Sequence, residues 1–495
     1  MSDFPEYDQI HVISDIHMGG TLSFQILRET KRLANFIRWI AEQRAERQVA
    51  LILNGDVIDT LAENTAGYIA IDDAVSTVDR IMNDQSFGQV WDALAHFVRQ
   101  KGCTLIIVIG NHDIELALPV VQRQVLSRLA GQDPIARSRI EFSTMGAGYT
   151  CVVGNSSIYC IHGNEVDAWN YVRYEDLSKV ARRMNAGRTL TPDEWEPNAG
   201  TKMVKDIMNA AKHKFAWIDL LKPETQAAVG TLLVLDPSQV AKINRIIPVI
   251  GQKVGSQREV NQRLSGDGIQ QAPSMPLNVT FEQLLGPNLT EGMSGRQTED
   301  DLLLMAEQSL GMAATATGSS TTSTLGTAQL AFDRFTGWLT GVSKDEALRR
   351  ALKDWLKGDK TFDTRDEDDT YKEVSKSVGA GIDFVVTGHT HLERAIEMGG
   401  GRYYFNCGTW IRLLRLNDSV LRDSASFKPV YEVLINGTMK AIDDARFGKQ
   451  GDPFVMDQTS AVCISAEGGK VVGRLTHVVG DGTGQPTEIK AFARP

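Results

Sequence analysis

The chain is poor in cysteine: five residues in 495, odd in number and without C-x-x-C spacing, which excludes a disulfide framework and a zinc ribbon and fits a reducing compartment. No apolar run approaches the ~18 residues of a membrane span. The opening MSDFPEYDQI carries no basic segment followed by an apolar stretch, so a cytoplasmic location is expected. An excess of positive charge is also missing. Fifty-two Lys and Arg against 62 Asp and Glu leave a formal charge of −10, which disfavours extended binding along duplex DNA and requires any polyanionic ligand to meet a local cation. No internal repeat is visible, and hydrophobic residues at 42% with charged residues at 23% describe an ordinary globular chain. At this length two to four domains are expected, or one domain with large insertions.

The first 165 residues alternate short apolar runs with amphipathic stretches. Gln9–Ser14, Val49–Asn54 and Thr104–Ile109 read as strands, with helical patterns from about Ser23 to Gln48 and around Phe87–Gln100. This βαβαβ rhythm predicts layered packing, with functional loops at the C-terminal ends of the strands. Gly148–Val153 and Ser157–His162, separated by Gly154-Asn155-Ser156, read as an antiparallel hairpin.

Strand-like alternation fades from about Asp167 to Val378, where helical periodicity dominates. The organisation expected is therefore a first core part over 1–166, a mainly helical insertion over 167–378 and a second core part over 379–495. Residues 173–263 hold 15 Lys and Arg against 10 acidic residues, a zone readable as a ligand surface or as solvated helix faces. Ala227–Leu235 and Gln239–Val254 are readable as core of the insertion or as a protein-partner surface. Thr315–Thr327 has too few apolar side chains to order and reads as a loop. Beyond Lys344–Leu356, a helical pattern, strands are expected at Phe384–Thr387, Arg394–Met398, Arg402–Asn406, Pro429–Ile435, Ala461–Ser465 and Val471–Val479, with Asn436-Gly437 as a turn.

Chemistry-bearing residues stand where strands are expected to end. Ser14-Asp15-Ile16-His17, Asn54-Gly55-Asp56-Val57-Ile58-Asp59, Gly110-Asn111-His112-Asp113, Ile161-His162-Gly163-Asn164 and Gly388-His389-Thr390-His391 together hold five of the nine histidines. Singly, each is the common signature of a turn or a helix cap. Together they supply nitrogen and oxygen donors suited to divalent transition ions. Five loops converging at one sheet edge can build a two-ion centre in which one carboxylate is shared, and such a pair clamps a phosphate and lowers the pKa of water. His11, His96, His213 and His477 lie outside these motifs and receive no role.

In this order the motifs resemble the calcineurin-like metallophosphoesterase superfamily, whose pattern is D-x-H, G-D-x-x-D, G-N-H-(D/E), H and G-H-x-H. The likeness covers roughly Gln9–His162 and Val378–Ile411. It implies a four-layer α/β/β/α sandwich, here with a large mainly helical insertion, and a hydrolase using two divalent metal ions. Manganese is the first expectation; iron, zinc and nickel are admitted by the same donors. Carried over residue by residue, the resemblance gives Asp15, His17 and His391 to the first metal, Asp56 to both, and Asn111, His162 and His389 to the second.

His112 resembles the family's non-ligand histidine, which stabilises the phosphoryl oxygens or protonates the leaving oxygen. Asp113 would orient His112, or else cap the following helix. Asp59 reads as a capping residue or an acceptor behind the ligands; Asn406-Cys407-Gly408-Thr409-Trp410 resembles the family's closing N-x-G-(S/T)-W segment near the metals, which places Asn406 behind the ligands, while Cys407 and Trp410 read as structural. Three substrate readings follow. Ser14–Gly20 is similar to the opening of lipid A pathway enzymes that cleave UDP-diacylglucosamine, although those usually carry Arg where His112 stands. Gly110–Asp113 also resembles the repair nucleases, whose surface is basic. The third, and the expectation adopted, is a phosphodiesterase acting on a nucleotide-like ester. A non-catalytic metal-binding scaffold is the alternative of a different class. The 226 residues between His162 and His389 are long enough for a cap over the site or a partner-binding module.

Overall fold

The computed structural model describes residues 4–22, 24–43, 47–63, 65, 67–191, 194–222, 231, 234–236, 341–355, 362–416, 418–447 and 451–494. Gln239–Val254 and Thr315–Thr327 lie outside these residues, as does most of Ala227–Leu235.

Two compact units are present. The first comprises Met1–Thr201, Phe362–Leu413 and Met456–Pro495; the second comprises Lys202–Thr361 and Leu414–Val455. In chain order the strands of the first unit are β1 (Glu6–Tyr7), β2 (Gln9–Ile13), β3 (Val49–Asn54), β4 (Cys103–Val108), β5 (Ile140–Ser143), β6 (Tyr149–Val153), β7 (Ser156–Cys160), β8 (Phe384–Thr387), β9 (Glu393–Gly399), β10 (Arg402–Cys407), β11 (Ser460–Glu467), β12 (Lys470–Val478) and β13 (Pro486–Arg494). They form a seven-stranded sheet, β13-β12-β11-β2-β3-β4-β5, and a six-stranded sheet, β1-β6-β7-β8-β10-β9. Strands β2 to β5 run parallel, and β11 joins β2 antiparallel, so the C-terminal meander extends the parallel half.

Alternation along the parallel strands produces the layers. Ile10 and Val12, Ala50 and Ile52, and Ile106 and Val108 face the second sheet, where they meet Cys151, Ile158, Phe384, Val386 and Phe405. The intervening residues Ile13, Leu51, Leu53, Leu105 and Ile107 face helices α1 (Thr30–Glu42), α2 (Ala74–Asn83), α3 (Gly88–Arg99) and α4 (Pro119–Ala130). Strands covered on both faces read as continuous apolar runs, as parallel sheets require. On the far side of the second sheet Val385, Ile396 and Tyr404 pack on Val374 of α5 (Asp369–Ser377). Helices, sheet, sheet and helix make the four-layer sandwich. In the second unit α6 (Lys344–Trp355) carries Glu346, which accepts from Arg349, Arg350 and the Ser424 hydroxyl. Among the described residues no helix is long and apolar enough to cross a membrane.

One element differs in kind from its sequence pattern. Pro429–Ile435, expected as a strand, lies in helix α7 of the sequence's C-terminal part (Ser424–Asn436).

The reason is local. Asp423 caps this helix through the Ser426 N–H (2.8 Å), and Phe427, Val430 and Leu434 bury one helical face at spacings of three and four. Asn436-Gly437 accordingly ends a helix, with Gly437 left-handed at φ 74°, and does not turn a hairpin. The first helix is also shorter than its amphipathic pattern: it begins at Thr30, and upstream of it the Phe24 and Gln25 N–H groups both donate to the Thr21 carbonyl. Strand β13 has no counterpart among the expected elements.

Candidate metal centre

Every motif leaves the C-terminal end of a strand: Asp15 and His17 after β2, Asp56 after β3, Asn111 and His112 after β4, His162 after β7, His389 and His391 after β8. The loops are laced together by backbone hydrogen bonds. Asp15 N–H donates to Gly55 O, Ile16 and His17 N–H both donate to Asp56 O, and Gly388 N–H donates to His162 O. Asp15, His17, Asp56, His389 and His391 all take positive φ, between 51° and 70°. Such conformations cost about 1–3 kcal/mol each in a non-glycine residue and persist where surrounding contacts over-determine them. Glycine is required where the loops touch: a Cβ on Gly110 would lie 2.1 Å from Asp56 Oδ1, and one on Gly388 2.3 Å from Ser14 Oγ.

Among the described residues the side chains that could hold an ion gather into three groups, of which one, His17, Asp59 and His112, shares its His17 with the first of the two that follow. Potential ligand atoms of Asp15, His17 and His391 lie within 4.8 Å of one another, as do those of Asp56, His162 and His389. Asp56 Oδ2 stands between the groups, 3.2 Å from His162 Nε2 and 3.7 Å from His17 Nε2. Asp56 Oδ1 accepts the His112 N–H (2.9 Å).

The far ring atoms identify the near ones. His162 Nδ1–H donates to Asn54 O (2.7 Å), His17 Nδ1–H to Asp59 Oδ2 (3.3 Å) and His391 Nδ1–H to Thr409 Oγ1 (3.1 Å), while the Thr409 hydroxyl itself donates to Asp15 O (2.9 Å). Each of these rings then presents an Nε2 lone pair to the interior. Asp15 Oδ1, His17 Nε2, Asn111 Oδ1 and His162 Nε2 are buried without a hydrogen-bond partner. Buried acceptor atoms left without a donor are costly unless a cation meets them, so this donor set fits metal ions. Burial opposes charging of Asp56 and His162 alike, yet their mutual attraction holds the carboxyl below its usual range and the imidazole above its own.

Asp113 stands otherwise than expected. Its carboxylate accepts from Val57 N–H and Gly110 N–H (both 2.7 Å), and it makes no side-chain cap to the following turn, so it neither orients His112 nor caps the helix. These two amides lie beside Asp56 and Asn111, and Asp113 therefore ties two ligand loops together. Burial and the nearby Asp56 charge push its own pKa up.

The group that orients His112 is Asp59, whose Oδ1 accepts from His112 Nδ1–H (3.1 Å) and from Ala62 N–H (3.0 Å). Asp59 is thus both a cap and the acceptor behind two histidines, and although burial raises its pKa, His112 and His17 bring it well below the usual carboxylate value. Asn406 bonds the ligand loop through Gly388 O (2.7 Å), Thr390 Oγ1 (3.1 Å) and Gly408 N–H (3.0 Å). Cys407 and Trp410 are fully buried, as expected of structural residues.

Two contributors have no motif of their own. Asp167 accepts from His389 Nε2–H (2.8 Å), and Thr409 supports His391. Thr409 stood inside the Asn406–Trp410 segment, which pointed to its neighbourhood; Asp167 was visible only as an acid five residues beyond His162.

A family model described as calcineurin-like phosphoesterase matches residues 9–220, the span that carries the site residues from Asp15 to His162. No curated protein gives a match to the chain.

Proposed function

The chain belongs to the calcineurin-like metallophosphoesterase superfamily and is a metal-dependent phosphoesterase; from that premise we propose that it hydrolyses a small, nucleotide-like phosphodiester. The observation that carries the reading is the pair of buried imidazole nitrogens, His17 Nε2 and His162 Nε2, that flank Asp56 Oδ2 without a hydrogen-bond partner.

In this proposal Asp15, His17 and His391 hold one divalent ion, Asn111, His162 and His389 a second, and Asp56 contributes to both. Manganese is the proposed metal. Two ions so held clamp phosphate oxygens and bring the pKa of water toward neutrality. The protein supplies the rest. Buried rings with fixed tautomers keep lone pairs directed inward, so that little reorganisation accompanies substrate binding. His112 is the most exposed of the five motif histidines, at 12% for its side chain, and so can reach substrate. With Nδ1 engaged by Asp59, its Nε2 is the atom that would give a proton to the leaving oxygen, and Asp59 stabilises the charged ring beforehand. The diester is the reading adopted from the sequence; two divalent ions outweigh the carboxylates of Asp15, Asp56 and Asp59, so the choice between diester and monoester rests on the assay.

The test is hydrolysis of bis-p-nitrophenyl phosphate beside p-nitrophenyl phosphate, with added manganese and after chelation. Chelation-sensitive turnover favouring the diester is expected. Preference for the monoester overturns the diester assignment, and full metal loading without turnover of either ester supports a scaffold instead.

A further inference from the structure

The four histidines that offer ring nitrogens to the two groups are supported from behind in two different ways. In the first group His17 leans on a carboxylate, Asp59, and His391 on a neutral hydroxyl, Thr409. In the second, His162 leans on a neutral carbonyl, Asn54 O, and His389 on a carboxylate, Asp167. Each group therefore has one charge-backed and one neutral-backed imidazole. A carboxylate behind a ligating imidazole fixes its tautomer and raises its basicity.

We infer that Asp167 is the positioning residue of the second metal site, holding His389 by Nε2–H so that its Nδ1 lone pair is the one offered to the ion. The inference deepens the metal-site reading above and rests on it. The 2.8 Å contact is not a chance rotamer, because the carboxylate is itself held: Oδ1 accepts from Trp169 N–H and Oδ2 also from the Asn170 amide, each at 2.8 Å. The ring is held at its other end too, since the His389 backbone N–H donates to Asp15 Oδ2 (2.9 Å). Asp167 thus reaches the centre from the chain just beyond His162, and the second site draws on a residue outside all five motifs. Its side chain is 28% exposed where that of Asp59 is 6% exposed, so solvent and salt weaken its influence relative to that of Asp59.

The experiment is manganese titration of the full chain by calorimetry, with metal content after gel filtration as a second readout. Wild type is expected to bind two ions. Asp167→Ala should weaken one of them by about 10–100-fold and leave the other unchanged. Asp167→Asn, which keeps an acceptor oxygen and loses the charge, should fall between, and circular dichroism of both variants reports folding.

A merely structural role is separated by the double variant. Asp167→Ala combined with His389→Ala should bind no more weakly than His389→Ala alone, because Asp167 acts only through that ring. Wild-type affinity for both ions in Asp167→Ala overturns the inference, as does additional loss in the double variant. A wild-type protein that binds fewer than two ions overturns the underlying metal reading instead, and the two failures are told apart by the wild-type titration.

Discussion

The two halves of the centre are built from the same residue types but are defended differently. The first, around Asp15, His17 and His391, is sealed by Asp59 and Thr409, and its imidazole side chains are 1% and 5% exposed. The second, around Asp56, His162 and His389, is sealed on one side by the Asn54 carbonyl, but its outer ring depends on the part-exposed Asp167. A ligand fixed by buried partners is pre-oriented whatever the solvent does. One fixed by a solvated carboxylate is open to salt and to substitution. The first half is thus expected to be the tighter and the second the exchangeable one.

The largest expected effect would erase the comparison. Asp56→Asn removes the charge common to both halves, so both ions should be lost together and turnover should fall by orders of magnitude; retention of either ion at wild-type affinity would show that Asp56 is not shared. Next comes His112→Ala, expected to lower kcat by about 10²–10⁴-fold while metal content stays at wild-type level, since His112 stands outside both ligand groups as assigned. Near-normal rates would remove it from the chemistry.

Asp59→Asn should act on both counts, weakening the first ion about 10–100-fold through His17 and drawing the alkaline limb of the pH profile to lower pH through His112, which must keep its proton to serve as the acid. Thr409→Val, which leaves a neutral ring without its acceptor, should weaken only the first ion and by less; comparable loss at both ions would contradict the separation of the halves.

The smallest effect concerns a buried histidine with no carboxylate behind it. His11 packs against Phe36 and Trp39, and burial pushes its pKa down to about 3. Its ordinary value near 6.5 belongs to the unfolded chain, which therefore takes up the proton first as pH falls. The stability from keeping His11 neutral is full above about pH 6.5 and is lost as pH falls toward 3. Relative to His11→Leu, wild type should lose about 1 kcal/mol per pH unit between pH 6 and 5. Denaturant unfolding at several pH values checks this, and a gap independent of pH would exclude it.

Legibility followed chemistry more than shape. The seven proposed metal ligands were readable because each sits in a contiguous motif just past an apolar run, and parallel strands bring such ends to one edge. The apolar run at Pro429–Ile435 was misread because a short hydrophobic segment carries both periods at once, and only the cap at Asp423 and the packing of Phe427, Val430 and Leu434 selected the helix. Asp113 was misread for a related reason. Adjacency to His112 suggested a partnership, but a side chain next in sequence points elsewhere, and the buried amides of Val57 and Gly110 claimed it.

What the sequence alone supplied is the likeness to the family, the layered α/β core and the residues proposed as ligands, because donor chemistry and motif order are local properties of a chain. Only the tertiary structure decided which atom of each residue faces inward and what stands behind it. Asp59 serves two histidines, Thr409 supports a ring eighteen residues away, and Asp167 and His389 meet across more than two hundred residues. A histidine's tautomer is set by the partner its other nitrogen finds in space, and that partner exists only after the sheets have packed.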